Sequence, residues 1–385
     1  MPTNPFPRLA PLVSRSHSRR LGRARLLVLL LLAMLGCGLL ASAASAAGRQ
    51  DRPAGHHRKA KPRPLYWGAW IGEQLTGTDA PWDMNAVSIF EQVVGKGMSL
   101  IEFSSPFQDC SRRPCRYFPF PDEPMSDIRA HGSIPVFSWG AEASPSGGAD
   151  QSDFQLGDII AGAYDPYVAQ FAAEARDWGH PFFLRFNWEM NGNWFPWSEG
   201  VNGNAPGQYI AAWRHVHDIF TAVGATNATW VWCPYADGGK RKGQPLRQVY
   251  PGTAYVDWTC MDGYNWGSNP VNPQKWRSFA ELFELTYKAL TKKIAPDKPL
   301  MLGEFATTPN GGHKALWLRK MFEQLPREYP RIRALIYFNS FDRGVNWPLE
   351  TSATAARTFA RGIHKGIYAN NRFGEIVTSP IPPLR

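Results

Sequence analysis

The chain reads as a single (β/α)8 barrel, and three observations point there. Eight apolar, strand-like runs recur along the sequence, helix-like segments lie between them, and 385 residues suffice for one barrel with a leader and a tail. The runs occupy 65–72, 98–105, 133–140, 181–189, 229–235, 256–264, 299–306 and 333–340. Their near-continuous apolar character is that of parallel strands covered on both faces. Between them, Tyr167, Phe171, Ala175 and Trp178 recur three or four apart within 166–178. Tyr209, Ala212, Trp213, Val216 and Phe220 do the same within 208–223, and 274–294, 314–325 and 352–364 are similar. An open doubly wound sheet is the alternative, but no Gly-rich phosphate turn follows the first run.

The N-terminal flank explains the charge. Residues 1–63 carry 12 of the 42 Lys/Arg and one of the 32 Asp/Glu, which leaves 30 basic and 31 acidic residues in the remainder. A body that near neutrality carries no footprint for nucleic acid. Arg19, Arg20, Arg23 and Arg25 precede an apolar run from Leu26 to Leu40 and an Ala/Ser-rich stretch with Ala44-Ser45-Ala46. Residues 1–47 therefore read as a secretory signal peptide. Faint twin-arginine (Ser18-Arg19-Arg20-Leu21) and lipoprotein (Met34-Leu35-Gly36-Cys37) patterns mark alternative export routes. The expected address is secreted or cell-envelope associated, with no stable membrane partner unless this segment stays uncleaved or becomes lipidated. Residues 48–63 form a basic Pro/Gly linker, 64–365 the catalytic barrel, and 366–385 a tail without a functional signal.

Chemistry in such a barrel gathers at the carboxyl ends of its strands. Glu189 closes the fourth run, Phe-Phe-Leu-Arg-Phe-Asn-Trp-Glu, and enters a Gly/Asn/Trp loop; Glu304 closes the seventh, across the ring. Two carboxyls facing one cleft suit acid/base chemistry on a glycosidic bond, with retention at a separation of about 5–5.5 Å. Period-two alternation places Arg185, Asn187 and Glu189 on one face. An acid must hold its proton, so Arg185 is assigned to the neighbouring nucleophile, a structural Arg185–Glu189 pair being the alternative. Gly303, lacking a side chain, lets a neighbour approach closely.

Asp262 and Tyr264 share a face on the sixth run, where the Tyr264 hydroxyl can orient the nucleophile. Trp139, Trp194, Trp197, Trp266 and Trp347 stand at strand ends or in mouth loops, where flat sugar faces stack, with core packing as the alternative. Asp109, Glu142 and Asp342 also follow strands and read as solvated loop charges. Cys110 and Cys115 close a short loop and suit a local disulfide in an exported protein. Cys233 and Cys260 read equally as a second bridge or as two buried thiols. No nearby His or Cys completes a four-ligand metal set, and no cofactor motif is present.

At Glu-Met-Asn-Gly-Asn-Trp (189–194), Asp-Gly-Tyr-Asn-Trp (262–266) and Gly-Glu-Phe (303–305), the chain resembles glycoside hydrolase family 26, over about residues 64–365. The resemblance implies a (β/α)8 endo-glycanase with Glu189 as proton donor, Glu304 as nucleophile and Tyr264 as its support. β-1,4-Mannan is then the leading substrate, with mixed-linkage β-glucan and β-xylan behind it. One position departs: family members commonly carry histidine just before the acid, where this chain has Trp188. By alternation Trp188 points away from the Glu189 face, which bears on substrate more than on chemistry. The competing class, a barrel that binds polysaccharide without cleaving it, has no need of both glutamates.

Overall fold

A computed structural model describes residues 63–145, 148–236, 245–270 and 272–385. The expected signal peptide, 1–47, and all but Arg63 of the expected linker, 48–63, lie outside these. Eight parallel strands form the barrel: β1 Tyr66–Ile71, β2 Leu100–Asp109, β3 Ile134–Ser144, β4 Phe182–Phe186, β5 Ala228–Trp232, β6 Trp258–Asn265, β7 Leu300–Thr307 and β8 Ile332–Asn339. β1 pairs in parallel with both β2 and β8, which closes the ring. The predicted architecture is present.

The helices are α1 Met84–Val94, α2 Asp122–Ala130, α3 Leu156–Ile160, α4 Asp165–Trp178, α5 Gln208–Val223, α6 Phe279–Ala289, α7 Lys314–Glu328 and α8 Ala353–Ile363. Local chemistry sets their ends. Asp83 caps α1 by accepting from Asn85 N, and Ser278 with Glu281 forms a reciprocal capping box on α6. α1, α2 and α3 are not among the segments the spacing discloses; α2 and α3 are the shortest helices, at 9 and 5 residues. Among the described residues, the connection from β5 to β6 holds only two 3-10 turns, Leu246–Gln248 and Thr253–Tyr255. No described helix is long and apolar enough to cross a membrane.

Alternation divides the core in two. On β3, Phe137 and Trp139 face outward into the layer between strands and helices, while Ile134 and Val136 face the barrel axis. The axial core also takes in Tyr66, Leu100, Phe183, Val231, Trp258 and Met301. Its floor is the C-terminal tail, which is an integral part of the barrel. Buried Ile381 joins the axial core; its carbonyl accepts from Trp258 Nε1 (2.8 Å) and its N–H donates to Thr229 Oγ1 (2.9 Å). The Tyr66 hydroxyl donates to Pro382 O (3.1 Å). Ile381→Ala is accordingly expected to cost about 2–5 kcal/mol in chemical denaturation, and a change within 0.5 kcal/mol would show the tail to be a passive cover.

Candidate active site

Above the apolar floor the axial side chains turn polar. Arg185 of β4, with no exposed surface, sits among three carboxylates. Its guanidinium donates to Asp262 Oδ2 (2.6 Å), Glu304 Oε1 (3.1 Å) and Glu102 Oε1. Glu102 in turn accepts from Ser138 Oγ (2.9 Å). Burial alone would discharge the arginine, but the charges of Asp262 and Glu304 outweigh it and raise its pKa. Asp262 is pushed well above the ordinary carboxylate range by burial and by the charges of Glu304 and Glu189, with Arg185 opposing. The Tyr264 hydroxyl is raised by burial and by Glu304, stays protonated, and donates to Glu304 Oε2. Both oxygens of Glu304 are thus held by donors.

Glu304 reaches the axis through an irregularity. Met261 pairs with Leu302 but Asp262 with Glu304, so Gly303 is an extra residue in β7. Met301 faces the axis, and strict alternation would then turn Glu304 outward; the bulge restores it to the mouth. Gly303 also rests on the Cys233–Cys260 disulfide. A Cβ there would meet Cys260 Sγ at 2.3 Å, Asp262 Oδ1 at 2.6 Å and Cys233 Sγ at 3.0 Å.

β4 ends at Phe186, and the next residues abandon alternation. Asn187 (φ 44°) and Glu189 (φ 53°) adopt left-handed conformations, uncommon for non-glycine residues and less so for Asn than for Glu. They are held there by Asn187 N donating to Trp139 O (3.0 Å) and Glu189 N to Cys233 O (2.7 Å). Two expectations change in consequence. Asn187 leaves the cleft face and uses Oδ1 to accept from Ala141 N (2.8 Å), fixing the end of β3. Trp188 does not point away: it lines the same cavity as Glu189, its ring 5.8 Å from the Arg185 guanidinium carbon.

That cavity, about 250 Å3, is lined by Glu189, Glu304 and Tyr264 together with Trp70, Trp188, Trp194, Trp266 and Trp347. Trp194 Nε1 donates to Glu189 Oε2 (2.6 Å). Asn191 clamps this loop to the next strand end by exchanging hydrogen bonds with the backbone of Tyr235 (2.8 and 2.9 Å). Trp347 packs on Tyr264 and Trp266, with ring centroids 5.4 and 5.1 Å apart. From behind, the Lys314 amine donates to the carbonyls of Trp347 (2.5 Å) and Pro348 (2.8 Å). Burial pushes that amine down to about 7, with Glu350 opposing.

Other predicted contacts fall elsewhere. Trp139 is core: it faces outward on β3 and stacks on Phe171 with centroids 4.2 Å apart. Trp197 is fully buried behind the wall, stacked on Phe195 (4.4 Å) and donating from Nε1 to Trp188 O (2.6 Å). Asp342, read as a solvated charge, lines the cavity beside Arg343, and burial raises its pKa. Glu102, Trp70 and Phe338 also belong to the site; the signals in sequence are that Glu102 is the one acid within the second apolar run and that Trp70 stands near the end of the first. The sulfurs of Cys110 and Cys115 are joined, as are those of Cys233 and Cys260. Among the described residues, Cys233, Cys260 and Asp262 form the one group of three possible metal ligands, and the disulfide leaves Asp262 as its only carboxylate donor.

Comparison with known proteins places the chain. The profile of glycosyl hydrolase family 26 matches residues 149–304, a span that contains Arg185, Glu189, Asp262, Tyr264 and Glu304. Endoglucanase H of Acetivibrio thermocellus is 30% identical over 301 residues, 78% of this chain; the chain spans only 30% of the length of that relative. Among solved structures, the GH26 beta-mannanase from Bacteroides ovatus aligns with a TM-score of 0.57 and 16% identity, covering 80% of this chain and 91% of its own. The catalytic domain of a GH26 endo-beta-1,4-mannanase from Bacillus sp. JAMB-750 aligns with a TM-score of 0.58 and 18% identity, covering 81% and 88%. At such identities the solved structures speak for the fold.

Proposed function

From the premise that this chain belongs to glycoside hydrolase family 26, we propose that it is a retaining endo-β-glycanase. The observation that carries the reading is one aromatic cavity lined by two glutamates in unlike settings, Glu189 beside Trp194 and Glu304 between Arg185 and Tyr264. Glu304, with a donor on each oxygen, is held in position to attack the anomeric carbon. Glu189 gives its proton to the departing glycosidic oxygen, and a glycosyl ester forms on Glu304. Glu189 then takes a proton from water, whose oxygen displaces Glu304 and restores both carboxyls. No cofactor takes part in this scheme.

For the substrate we place β-1,4-containing glucan, mixed-linkage glucan included, ahead of mannan. Two features support that order: the relative at 30% identity is an endoglucanase, and Trp188 lines the cavity in the place where histidine is usual. Mannan is the second reading, favoured by the β-mannanases that share the fold. Export through the N-terminal segment fits a polymer too large to enter a cell. Incubation with mixed-linkage glucan, mannan and xylan should release reducing ends fastest from the glucan, by roughly tenfold or more in kcat/KM. The first product should carry the β anomer. A faster rate on mannan reverses the order of substrates, and an α anomer refutes retention.

A further inference from the structure

Two disulfides differ sharply in setting. Cys110–Cys115 closes a five-residue step in the rim loop after β2, whereas both sulfurs of Cys233–Cys260 are fully buried at the heart of the site. Cys233 follows β5 directly, and its carbonyl accepts the backbone N–H of Glu189 at 2.7 Å. Cys260 lies in β6 and pairs in register with Met301 of β7, two residues before the Gly303 bulge that turns Glu304 to the axis. Gly303 rests directly on the two sulfurs, and the Arg185 guanidinium nitrogen that holds Asp262 lies 3.6 Å from Cys233 Sγ.

The continuous ladder is short at this seam. β5 and β6 share only two register pairs, Val231 with Trp258 and Trp232 with Thr259, followed by an isolated bridge from Tyr235 to Asp262. The connection between the two strands also lacks a covering helix among the described residues. At the height of the carboxylates, then, the disulfide adds a covalent bond beside the two backbone hydrogen bonds of that bridge, Ala236 N to Asp262 O (2.7 Å) and Asp262 N to Pro234 O (3.1 Å).

We infer that the Cys233–Cys260 disulfide is a positioning device, tying the backbone seat of the acid Glu189 to the strand pair that carries the nucleophile Glu304. The inference rests on the proposed glycanase reading. Retention tolerates only a narrow separation of the two carboxyls, and a displacement of about 1 Å costs on the order of 100-fold in rate. Neither sulfur lines the cavity, so the effect belongs in turnover and not in substrate affinity.

The test compares the full-length protein with C233A/C260A, C233S/C260S and, as a control, C110A/C115A. On the glycan that the unaltered protein hydrolyses best, both buried-pair variants should lose roughly 10- to 100-fold in kcat, with KM within about twofold and a displaced pH profile of kcat/KM. The control should keep its kcat and profile. Folded buried-pair variants with unaltered kcat overturn the inference. So does a loss of activity that only follows the unfolded fraction in thermal denaturation, because the bond then serves stability alone. Absence of hydrolysis by the unaltered protein refutes the proposed function, and this inference with it, before any cysteine is changed.

Discussion

Glu304→Ala should lower kcat on the preferred glycan by roughly 10^4-fold or more, with the fold retained. The carboxylate is the attacking atom of the proposed route, and nothing else in the cavity stands between Arg185 and Tyr264 to replace it. Stability should hold or rise, because the substitution removes one of three acids crowded on a single guanidinium. Glu189→Ala should lose about 10^2- to 10^4-fold on polysaccharide but far less on an aryl glycoside, whose phenolate leaves without a proton. Reducing-end and phenolate assays of the two variants separate the roles. Near-unaltered turnover in the Glu304 variant, or equal losses on both substrates in the Glu189 variant, would refute the assignment.

Arg185→Met should be the most damaging substitution for folding, costing about 3–5 kcal/mol. Among the described residues it strips the one cation paired with Glu102, Asp262 and Glu304, of which Glu102 and Asp262 are fully buried. Urea denaturation measures the loss, and a change below about 1 kcal/mol would show that the cluster relaxes freely. The unaltered protein carries a related pH dependence. Because burial and neighbouring charge raise Asp262 above 3.8 in the folded state, folding takes up a proton there. That contribution is complete below the ordinary carboxylate value and is lost as pH rises toward the raised one. The variant, lacking the opposing cation, should go on losing stability to a higher pH.

The barrel and its two glutamates were legible because they depend on repetition and position, eight apolar runs and two acids at their ends. The directions of side chains were less so. Parallel strands are apolar on both faces, so nothing in Ile-Pro-Val-Phe-Ser-Trp told which parity faced the axis, and Trp139 went to the wrong side. Trp188 and Asn187 were misdirected because alternation stops at Phe186, and left-handed backbone at Glu189 has no signature in a residue that seldom adopts it. Glu304 was placed at the mouth although strict alternation from Met301 turns it away; Gly303 supplies the reason. Trp197 was invisible as wall backing because its partners, Phe195 and the Trp188 carbonyl, belong to one irregular loop.

The tail that floors the barrel also brings the two ends of the described body together. Arg333, at the start of β8, donates to Pro64 O at one end of the described body and to Leu384 O at the other. Both ends therefore lie side by side on the face opposite the cavity. A barrel attached to a bead through either of these two ends would present its cleft away from the point of attachment. A short splice from 384 to 64 would likewise make the barrel circular, freeing new ends to be opened wherever a loop permits.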